Sequence, residues 1–170
     1  MKIALFIGIL AVLIGTSCCL TGFATTTRYT RTNTHKDACG CTGMAAFKYS
    51  AAANFKLFTK TTKTWCGVGC GQCFRLTAQN KSATQYTGYG GTGKIDVMVT
   101  DVCPPTGNQE WCAVPKNKYG YEYHFDLNDG AGQITALKWD NPVVKFESIP
   151  CALANVNKFK TCECNGKNTN

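Results

Sequence analysis

Several features that mark large classes of proteins are missing from this sequence. Its lysines are scattered as single residues and its arginines form no cluster, so the formal net charge of +8 favours a soluble basic protein over one that binds nucleic acid. The glycine-rich run at residues 88–93 lacks the Gly-Lys-Ser/Thr ending of a phosphate-binding loop. No nucleophile motif for acyl transfer, internal repeat or linker is present, and 170 residues suit one domain.

A long hydrophobic run is missing as well. The apolar stretch from Ile3 to Ile14 is shorter than the ~20 residues that a bilayer span needs. It follows a basic start and precedes small residues that end at Ala24, which is the pattern of a secretory signal. We therefore expect residues 1–24 to be a signal peptide and residues 25–170 to be a single catalytic-type domain. The mature protein is expected to be secreted, extracellular, monomeric and free of the membrane.

The sequence is poor in histidine and rich in cysteine. Of the 12 cysteines, ten remain after removal of the signal segment, and this even, dense set in an exported chain predicts five disulfide bonds. Zinc is the alternative, because Cys70-Gly-Gln-Cys73 has ligand spacing, but an oxidising compartment removes the thiolates that zinc requires. The sequence has two histidines, and they and the oxidised cysteines cannot together supply the ligands of a metal ion. We therefore expect no metal and no cofactor. The predicted disulfide cysteines are Cys39, Cys41, Cys66, Cys70, Cys73, Cys103, Cys112, Cys151, Cys162 and Cys164.

Short strand patterns recur along the chain. Alternating or β-branched segments occur at residues 74–78, 95–100, 124–127 and 143–149, and turn signals separate them. The alanine-rich span 44–58 has a loose helical periodicity, so a helix is expected over part of it. Short strands separated by turns predict an all-β fold that closes into a barrel.

One irregular segment, from Thr100 to Asn128, concentrates the polar groups that are suited to chemistry. It carries the carboxylates Asp101 and Asp126 and the carboxamide Asn108, together with two cysteines and several aromatic residues. The segment is too irregular to be one helix. We interpret it as the working surface of the protein.

A series of motifs runs through nearly all of the predicted mature chain. It comprises Thr-Thr-Arg-Tyr at 26–29, His-Lys-Asp-Ala-Cys-Gly-Cys at 35–41, Val-Thr-Asp-Val-Cys-Pro at 99–104, Gly-Asn-Gln-Glu-Trp-Cys at 107–112 and His-Phe-Asp-Leu at 124–127. The series resembles glycoside hydrolase family 45, in particular its small mollusc-type and basidiomycete-type endoglucanases, and two of the motifs also occur in expansins. The resemblance implies a six-stranded double-psi β-barrel, stapled by disulfides and with short helical and loop insertions, that presents an open groove for a β-1,4-glucan.

The resemblance assigns the general acid to Asp126. Hydrolysis with inversion needs one carboxylic acid that protonates the leaving oxygen and one base, about 6.5–9.5 Å away, that activates water. The neighbouring rings of Tyr123 and Phe125 would help to keep the Asp126 carboxyl protonated, because burial raises a carboxyl pKa. Without the resemblance, an ordinary surface aspartate at a strand end would be the simpler interpretation.

The catalytic base is where the sequence departs from the family pattern. Most members carry an aspartate within two residues of the tyrosine in Thr-Arg-Tyr, and here Thr30 and Arg31 occupy those positions. A guanidinium cannot accept a proton. The resemblance to basidiomycete-type members, which also lack that aspartate, points to Asn108, whose amide would need an imidic tautomer within a proton relay. We rank the candidate catalytic bases Asn108, then Asp37, then Asp101, with turn formation as the alternative role of Asn108 and Asp101.

Aromatic side chains are the expected sugar-binding groups, because the apolar faces of glucosyl rings stack on flat rings. Each of them has a place in the protein core as its alternative. A histidine beside the acid is added as a proton-passing candidate, although a lone histidine next to a strand is more often structural. The candidate substrate-binding residues are Tyr29, Trp65, Trp111, Tyr119, Tyr121 and His124.

These observations predict a secreted endo-β-1,4-glucanase, a cellulase that hydrolyses internal bonds of cellulose or related β-glucans with inversion and without a cofactor. The alternative is a non-hydrolytic, expansin-like or loosenin-like protein that binds the same cell-wall polysaccharide. A small disulfide-rich binding or defence protein would explain the cysteines but not the ordered series of motifs.

Overall fold

Six β-strands form a closed barrel in the computed structural model, which describes residues 19–31, 34–42, 47–59, 66–84 and 90–167. The strands are β1 (Thr21–Tyr29), β2 (Ser50–Asn54), β3 (Cys73–Ser82), β4 (Lys94–Cys103), β5 (Tyr123–Asn128) and β6 (Pro142–Ile149). Around the barrel they follow the order β1-β5-β2-β4-β3-β6. The pairs β1–β5 and β2–β4 are parallel, and the other neighbours are antiparallel. The prediction of an all-β, six-stranded double-psi barrel is confirmed.

Large apolar side chains from several strands fill the barrel. Phe74 on β3, Phe125 on β5 and Phe146 on β6 are fully buried, and their ring centroids lie 5.4–5.9 Å apart in tilted or edge-on contacts. Such contacts add to the free energy gained by burial. Replacement of one such phenylalanine by alanine costs about 3–5 kcal/mol. The core therefore fixes the relative positions of the strands that carry the polar groups.

The alanine-rich span forms a strand where a helix was expected. All five residues of β2 are buried, because β2 lies between β4 and β5 in the barrel wall. Only Phe55–Phe58 form a helix, α1. Alanine favours helices locally, but pairing with two neighbouring strands overrides that preference. The prediction of a helix over part of this span is met by α1, whereas the strand at residues 50–54 was not predicted.

The other short helices lie in the connections between strands. Helix α2 (Gln109–Cys112) follows β4, a single 3₁₀ turn (Thr135–Leu137) follows β5, and helix α3 (Leu153–Phe159) follows β6. The irregular segment identified from the sequence thus contains the end of β4, helix α2 and β5. It crosses one end of the barrel.

All ten predicted cysteines form disulfide bonds. The bonds are Cys39–Cys70, Cys41–Cys162, Cys66–Cys164, Cys73–Cys151 and Cys103–Cys112. Two of them attach the C-terminal tail to the loops that precede β2 and β3, and one closes the short connection between β4 and α2. The prediction of five bonds is confirmed, and the structure supplies the pairing that the sequence left open.

The predicted signal-peptide boundary falls inside β1. Residues 21–24 pair with β6 in antiparallel register, and Ala24 is fully buried. The hydroxyl of Thr21 also donates a hydrogen bond to the carbonyl of Phe146 at 2.8 Å. Cleavage after Ala24 would remove these contacts from the barrel. The boundary at residue 24 stays a prediction, and the strand provides a way to test it.

We expect a chain that begins at Thr25 to be less stable than a chain that begins at Thr21. It loses main-chain hydrogen bonds to β6 that contribute about 1 kcal/mol each, so its melting temperature should be lower by about 5–10 °C. Calorimetry on the two chains measures the difference. Equal melting temperatures would show that residues 21–24 are dispensable and would favour the boundary at Ala24.

Candidate active site

Two cavities open near the C-terminal ends of β1, β4 and β5. One has a volume of about 430 Å³ and is lined by Thr27 and Asp126 among others. The other has a volume of about 660 Å³, and its lining includes Arg31, Asp37 and Asp101. The charge of Asp101 acts on Asp126, so the two cavities share one electrostatically coupled group of carboxyls.

Asp126 is positioned by the parallel register of β1 and β5, which sets it opposite Thr27. The Thr27 hydroxyl donates a hydrogen bond to Asp126 Oδ1 at 2.7 Å. Burial raises the pKa of Asp126 to about 6; the charge of Asp101 adds to this rise and the Thr27 hydrogen bond opposes it. A carboxyl with this pKa is partly protonated at mildly acidic pH, as a general acid requires.

A line of hydrogen bonds runs from Asp126 into the barrel. The hydroxyl oxygen of Thr27 lies 3.0 Å from His124 Nε2. On the other side of the ring, His124 Nδ1 lies 2.8 Å from Thr25 Oγ1, and Thr25 Oγ1 accepts a hydrogen bond from Asn117 Nδ2 at 2.8 Å. Asn117 can only donate through this nitrogen, and the Asp126 carboxylate can only accept. The bonds are therefore all satisfied when His124 carries its proton on Nε2 and both threonine hydroxyls donate toward Asp126. Each donor in this line therefore points its hydrogen along the line toward Asp126.

His124 is fully buried within this line. Burial lowers the pKa of His124 to about 3, so the imidazole is neutral and donates at one nitrogen while it accepts at the other. Its ring centroid lies 5.7 Å from that of Trp111. Since His124 has no exposed surface, its contribution would come through Thr27 and not through direct contact with a sugar.

Asp101 is engaged at both carboxylate oxygens. Its Oδ1 accepts hydrogen bonds from the amides of Ala38 and Val102, each at 2.9 Å, and its Oδ2 lies 2.8 Å from Arg31 Nη1. Both oxygens are thus already engaged by donors and a cation, which leaves neither free to contact an attacking water. This arrangement agrees with its third rank among the candidate bases.

Asp37 lies in the tight loop before Cys41. Its Oδ1 accepts a hydrogen bond from the Cys41 amide at 2.7 Å, and its Oδ2 is enclosed. Burial raises the pKa of Asp37 to about 7, against the effect of the Cys41 amide and with a further contribution from Asp101. Both oxygens are shielded, so direct contact with an attacking water would require the loop to move.

Tyr29 presents a buried hydroxyl that has no hydrogen-bond partner. Burial raises the pKa of this phenol, and the charges of Asp101 and Asp126 raise it further, so the hydroxyl keeps its proton. A buried polar group without a partner costs about 1–3 kcal/mol. No solvent reaches this hydroxyl, so a water or sugar would bind to it only after the surrounding residues move.

Asn108 is exposed at the start of α2. Its side-chain amide donates to the carbonyl of Pro104 at 3.3 Å, and its main-chain carbonyl accepts from the Trp111 amide at 3.1 Å. The carbonyl of Trp111 in turn accepts from Asn117 Nδ2 at 3.1 Å. Main-chain groups therefore connect the loop of Asn108 with the hydrogen-bond line that ends at Asp126.

The aromatic candidates occupy different places. Trp111 lines the cavity that holds Asp126, and the Tyr119 ring centroid lies 4.5 Å from that of Trp111. Tyr119 and Tyr121 line a third cavity of about 300 Å³. Trp65 lies outside the described residues. The roles of these rings as sugar platforms stay predictions.

One cluster has the composition of a metal site. Ligand atoms of Cys103, Cys112 and His124 lie within 4.8 Å of one another. The two sulfur atoms are joined in a disulfide bond, and both nitrogens of His124 contact threonine hydroxyls. This donor set is chemically occupied and does not fit a metal ion.

Sequence reasoning did not single out Thr25, Thr27 or Asn117. The two threonines lie two positions apart on β1, which is the spacing of side chains on one face of a strand, and this was the available signal. Asn117 stands in a connection without a motif. Arg31 was read as the loss of a base, and its ion pair with Asp101 was not foreseen.

A double-psi barrel with a buried, protonatable carboxyl beside an open cavity is an arrangement suited to glycoside hydrolysis. The chain matches, over residues 24–156, the family model described as EXPB1-like domain 1. It is 38% identical over 161 residues to Endoglucanase-5 of Hypocrea jecorina, and this match covers 85% of the chain and 63% of the Hypocrea jecorina protein. It is 37% identical over 155 residues to an endoglucanase of Mytilus edulis, which covers 81% of this chain and 80% of that protein.

A solved structure agrees with these relatives. The crystal structure of a GH45 endoglucanase, an aspartate-to-alanine variant in complex with cellobiose, is 36% identical with a TM-score of 0.76, and the match covers 85% of this chain and 89% of that chain. The chain belongs to glycoside hydrolase family 45 and carries an EXPB1-like domain 1. It spans less than two thirds of the Hypocrea jecorina protein.

We expect Thr27→Val to raise the pKa of Asp126 above about 6 by about one unit, because the variant removes a hydrogen bond that stabilises the carboxylate. A ¹³C NMR titration of the Asp126 carboxyl carbon measures the change. Thr26→Val is the matched control, since the Thr26 hydroxyl donates to the carbonyl of Pro142. An unchanged Asp126 titration in Thr27→Val would show that the bond does not tune the acid.

Proposed function

We propose that the protein is a secreted endo-β-1,4-glucanase that hydrolyses internal bonds of cellulose or a related β-1,4-glucan with inversion. The observation that carries the proposal is the Asp126 carboxyl, which lines an open cavity and whose pKa burial raises to about 6. Membership of glycoside hydrolase family 45 supports it, because the similar proteins are named endoglucanases and one of them was solved with cellobiose.

In the proposed reaction, Asp126 protonates the oxygen that leaves the scissile bond. The carboxyl must be protonated when the sugar binds, so activity falls as pH rises through the pKa of about 6. After proton transfer, the Thr27 hydroxyl stabilises the carboxylate that is left. The neutral His124 and Thr25 behind Thr27 hold that hydroxyl in its donating orientation.

The proton acceptor for the attacking water is proposed to be Asn108. Its carboxamide is exposed, whereas the Asp101 oxygens are engaged by two amides and a guanidinium and those of Asp37 are shielded. An amide accepts a proton poorly unless it gives one up at its nitrogen. The contacts through Trp111 and Asn117 hold the Asn108 loop beside the line behind Asp126. The proton that the Asn108 nitrogen gives up would pass to solvent, because this side chain is exposed.

Substrate binding is assigned to the aromatic surface beside the acid. Trp111 lies in the Asp126 cavity and packs against Tyr119, and Tyr119 shares the next cavity with Tyr121. A glucan lying along these rings would place apolar sugar faces on aromatic faces. Tyr29 would contact a sugar hydroxyl or the attacking water only after a movement that exposes its buried hydroxyl.

Export is part of the proposal. Five disulfide bonds suit an oxidising compartment, and the N-terminal segment has the pattern of a secretory signal. In the stretches of chain that the structure describes, we find no helix with the length and apolar character of a membrane span. The protein is proposed to act outside the cell as a monomer without a cofactor.

We expect Asp126→Asn to lower the rate of hydrolysis by about 10²–10⁴-fold, because an amide cannot protonate the leaving oxygen. New reducing ends released from carboxymethylcellulose measure the rate, and sedimentation with insoluble cellulose measures binding, which should be retained. Asp96→Asn is the matched control, because Asp96 is an exposed strand aspartate paired with Arg75.

The same assay separates hydrolysis from the expansin-like alternative. If the wild-type protein released no more reducing ends than Asp126→Asn and both bound cellulose equally, the non-hydrolytic function would be favoured. Loss of cellulose binding together with activity would instead indicate that the substitution damaged the groove.

We expect Asn108→Ala to lower kcat by about 10²-fold or more, and Asp37→Asn to lower it by less than about tenfold, because only the first residue is exposed to an attacking water. Asn108→Asp should retain activity, since a carboxylate is the stronger base. Gln109→Ala on the same loop is the control for local disruption. A larger loss in Asp37→Asn than in Asn108→Ala would reverse the assignment.

A further inference from the structure

Arg31 leaves the end of β1 and reaches the end of β4. Its Nη1 lies 2.8 Å from Asp101 Oδ2 and 3.4 Å from the carbonyl oxygen of Lys36. The Asp101 side chain is 9% exposed and that of Arg31 is 34% exposed, so solvent screens this pair less than the exposed Arg75–Asp96 pair on the barrel surface. The cation is therefore fixed beside the group of carboxyls that Asp37, Asp101 and Asp126 form in the candidate site.

Asp101 is the carboxylate that acts on the other members of that group. After burial, which is the largest cause in each case, its charge raises the pKa of Asp126, of Tyr29 and of Asp37. Two main-chain amides hold its Oδ1 in place. A fixed charge in a poorly hydrated site acts on its neighbours more strongly than an exposed charge.

Arg31 is the cation that contacts Asp101. At mildly acidic pH His124 is neutral and Asp37 is largely protonated, so neither adds a charge beside Asp101. Within the described part of the chain, the remaining titratable or charged side chains around the two cavities are Arg28, Tyr29, Asp140, Lys36, Glu163 and Lys167. Among these, Lys36 is paired with Glu163, and Arg28 donates to the Thr135 hydroxyl.

We propose that Arg31 is a positioning residue for the reaction: it holds the Asp101 carboxylate in place and offsets the negative charge that acts on Asp126. The inference rests on the proposed function and adds a residue that does not touch the substrate. Without the guanidinium, the Asp101 charge would face Asp126 uncompensated. Asp126 would then retain its proton to higher pH and would be a weaker acid toward the leaving oxygen.

The test compares the pH dependence of kcat/KM on carboxymethylcellulose for wild type, Arg31→Gln and Arg31→Lys. We expect the alkaline limb to move upward by about half a pH unit or more in Arg31→Gln, because the compensating charge is lost. Arg31→Lys keeps the charge and should leave the limb near its wild-type position. Arg75→Gln, which breaks the exposed Arg75–Asp96 pair, is the matched control and should not move the limb.

A second route uses Asp101 itself. Asp101→Asn removes the negative charge, so the alkaline limb should move downward, and Arg31→Gln added to Asp101→Asn should then have no further effect on the limb. Thermal melts check that each variant is folded. An alkaline limb in Arg31→Gln that coincides with the wild-type limb, or an equal shift in Arg31→Lys, would overturn the inference.

The two proposals fail in different ways. If the wild-type protein released no reducing ends, the proposed function would fail, and a ¹³C NMR titration of the Asp126 carboxyl in the same variants would still measure the effect of Arg31. An Asp126 titration that is unchanged in Arg31→Gln would then reject the coupling independently of activity.

Discussion

The parallel pairing of β1 with β5 is the constraint on which the candidate site depends. It sets Thr27 opposite Asp126 and Thr25 opposite His124, so two side chains from each strand meet at one end of the barrel. Parallel neighbours cannot be joined by a tight turn. The intervening chain, which runs through β2, β3 and β4, supplies Asp101 from β4 and Asn117 from the loop before β5.

The hydrogen-bonded side chains behind Asp126 show how a barrel can bury an ionisable group. Each side chain in the line from Asn117 to Asp126 is satisfied, and all donors face the same way. Buried networks of this kind are stabilising only when every member has a partner. Asp101 extends the arrangement on the other side, where two amides and Arg31 satisfy its oxygens. The pKa of Asp126 thus depends on its burial, on the hydrogen bond from Thr27 and on the charge of Asp101.

The sequence predicted the features that short-range patterns encode. The strands at residues 95–100 and 143–149 were readable because β-branched or alternating residues mark a half-buried strand, and the even cysteine count gave the number of disulfide bonds. The strand β2 was missed because its alanines favour a helix until neighbours on both sides pair with them. Asp126 was found through its motif, whereas Thr27 was not, because its partner lies 99 positions away along the chain.

The order of the strands around the barrel also has a consequence for folding. The first strand in the chain lies between β5 and β6, which are the last two. Contacts between distant parts of a sequence form slowly, because a long loop must close before they contribute. The wall next to Asp126 is thus completed only after nearly the whole polypeptide has emerged from the ribosome. During the proposed export, this connectivity would leave the barrel unformed until its last strand has crossed the membrane.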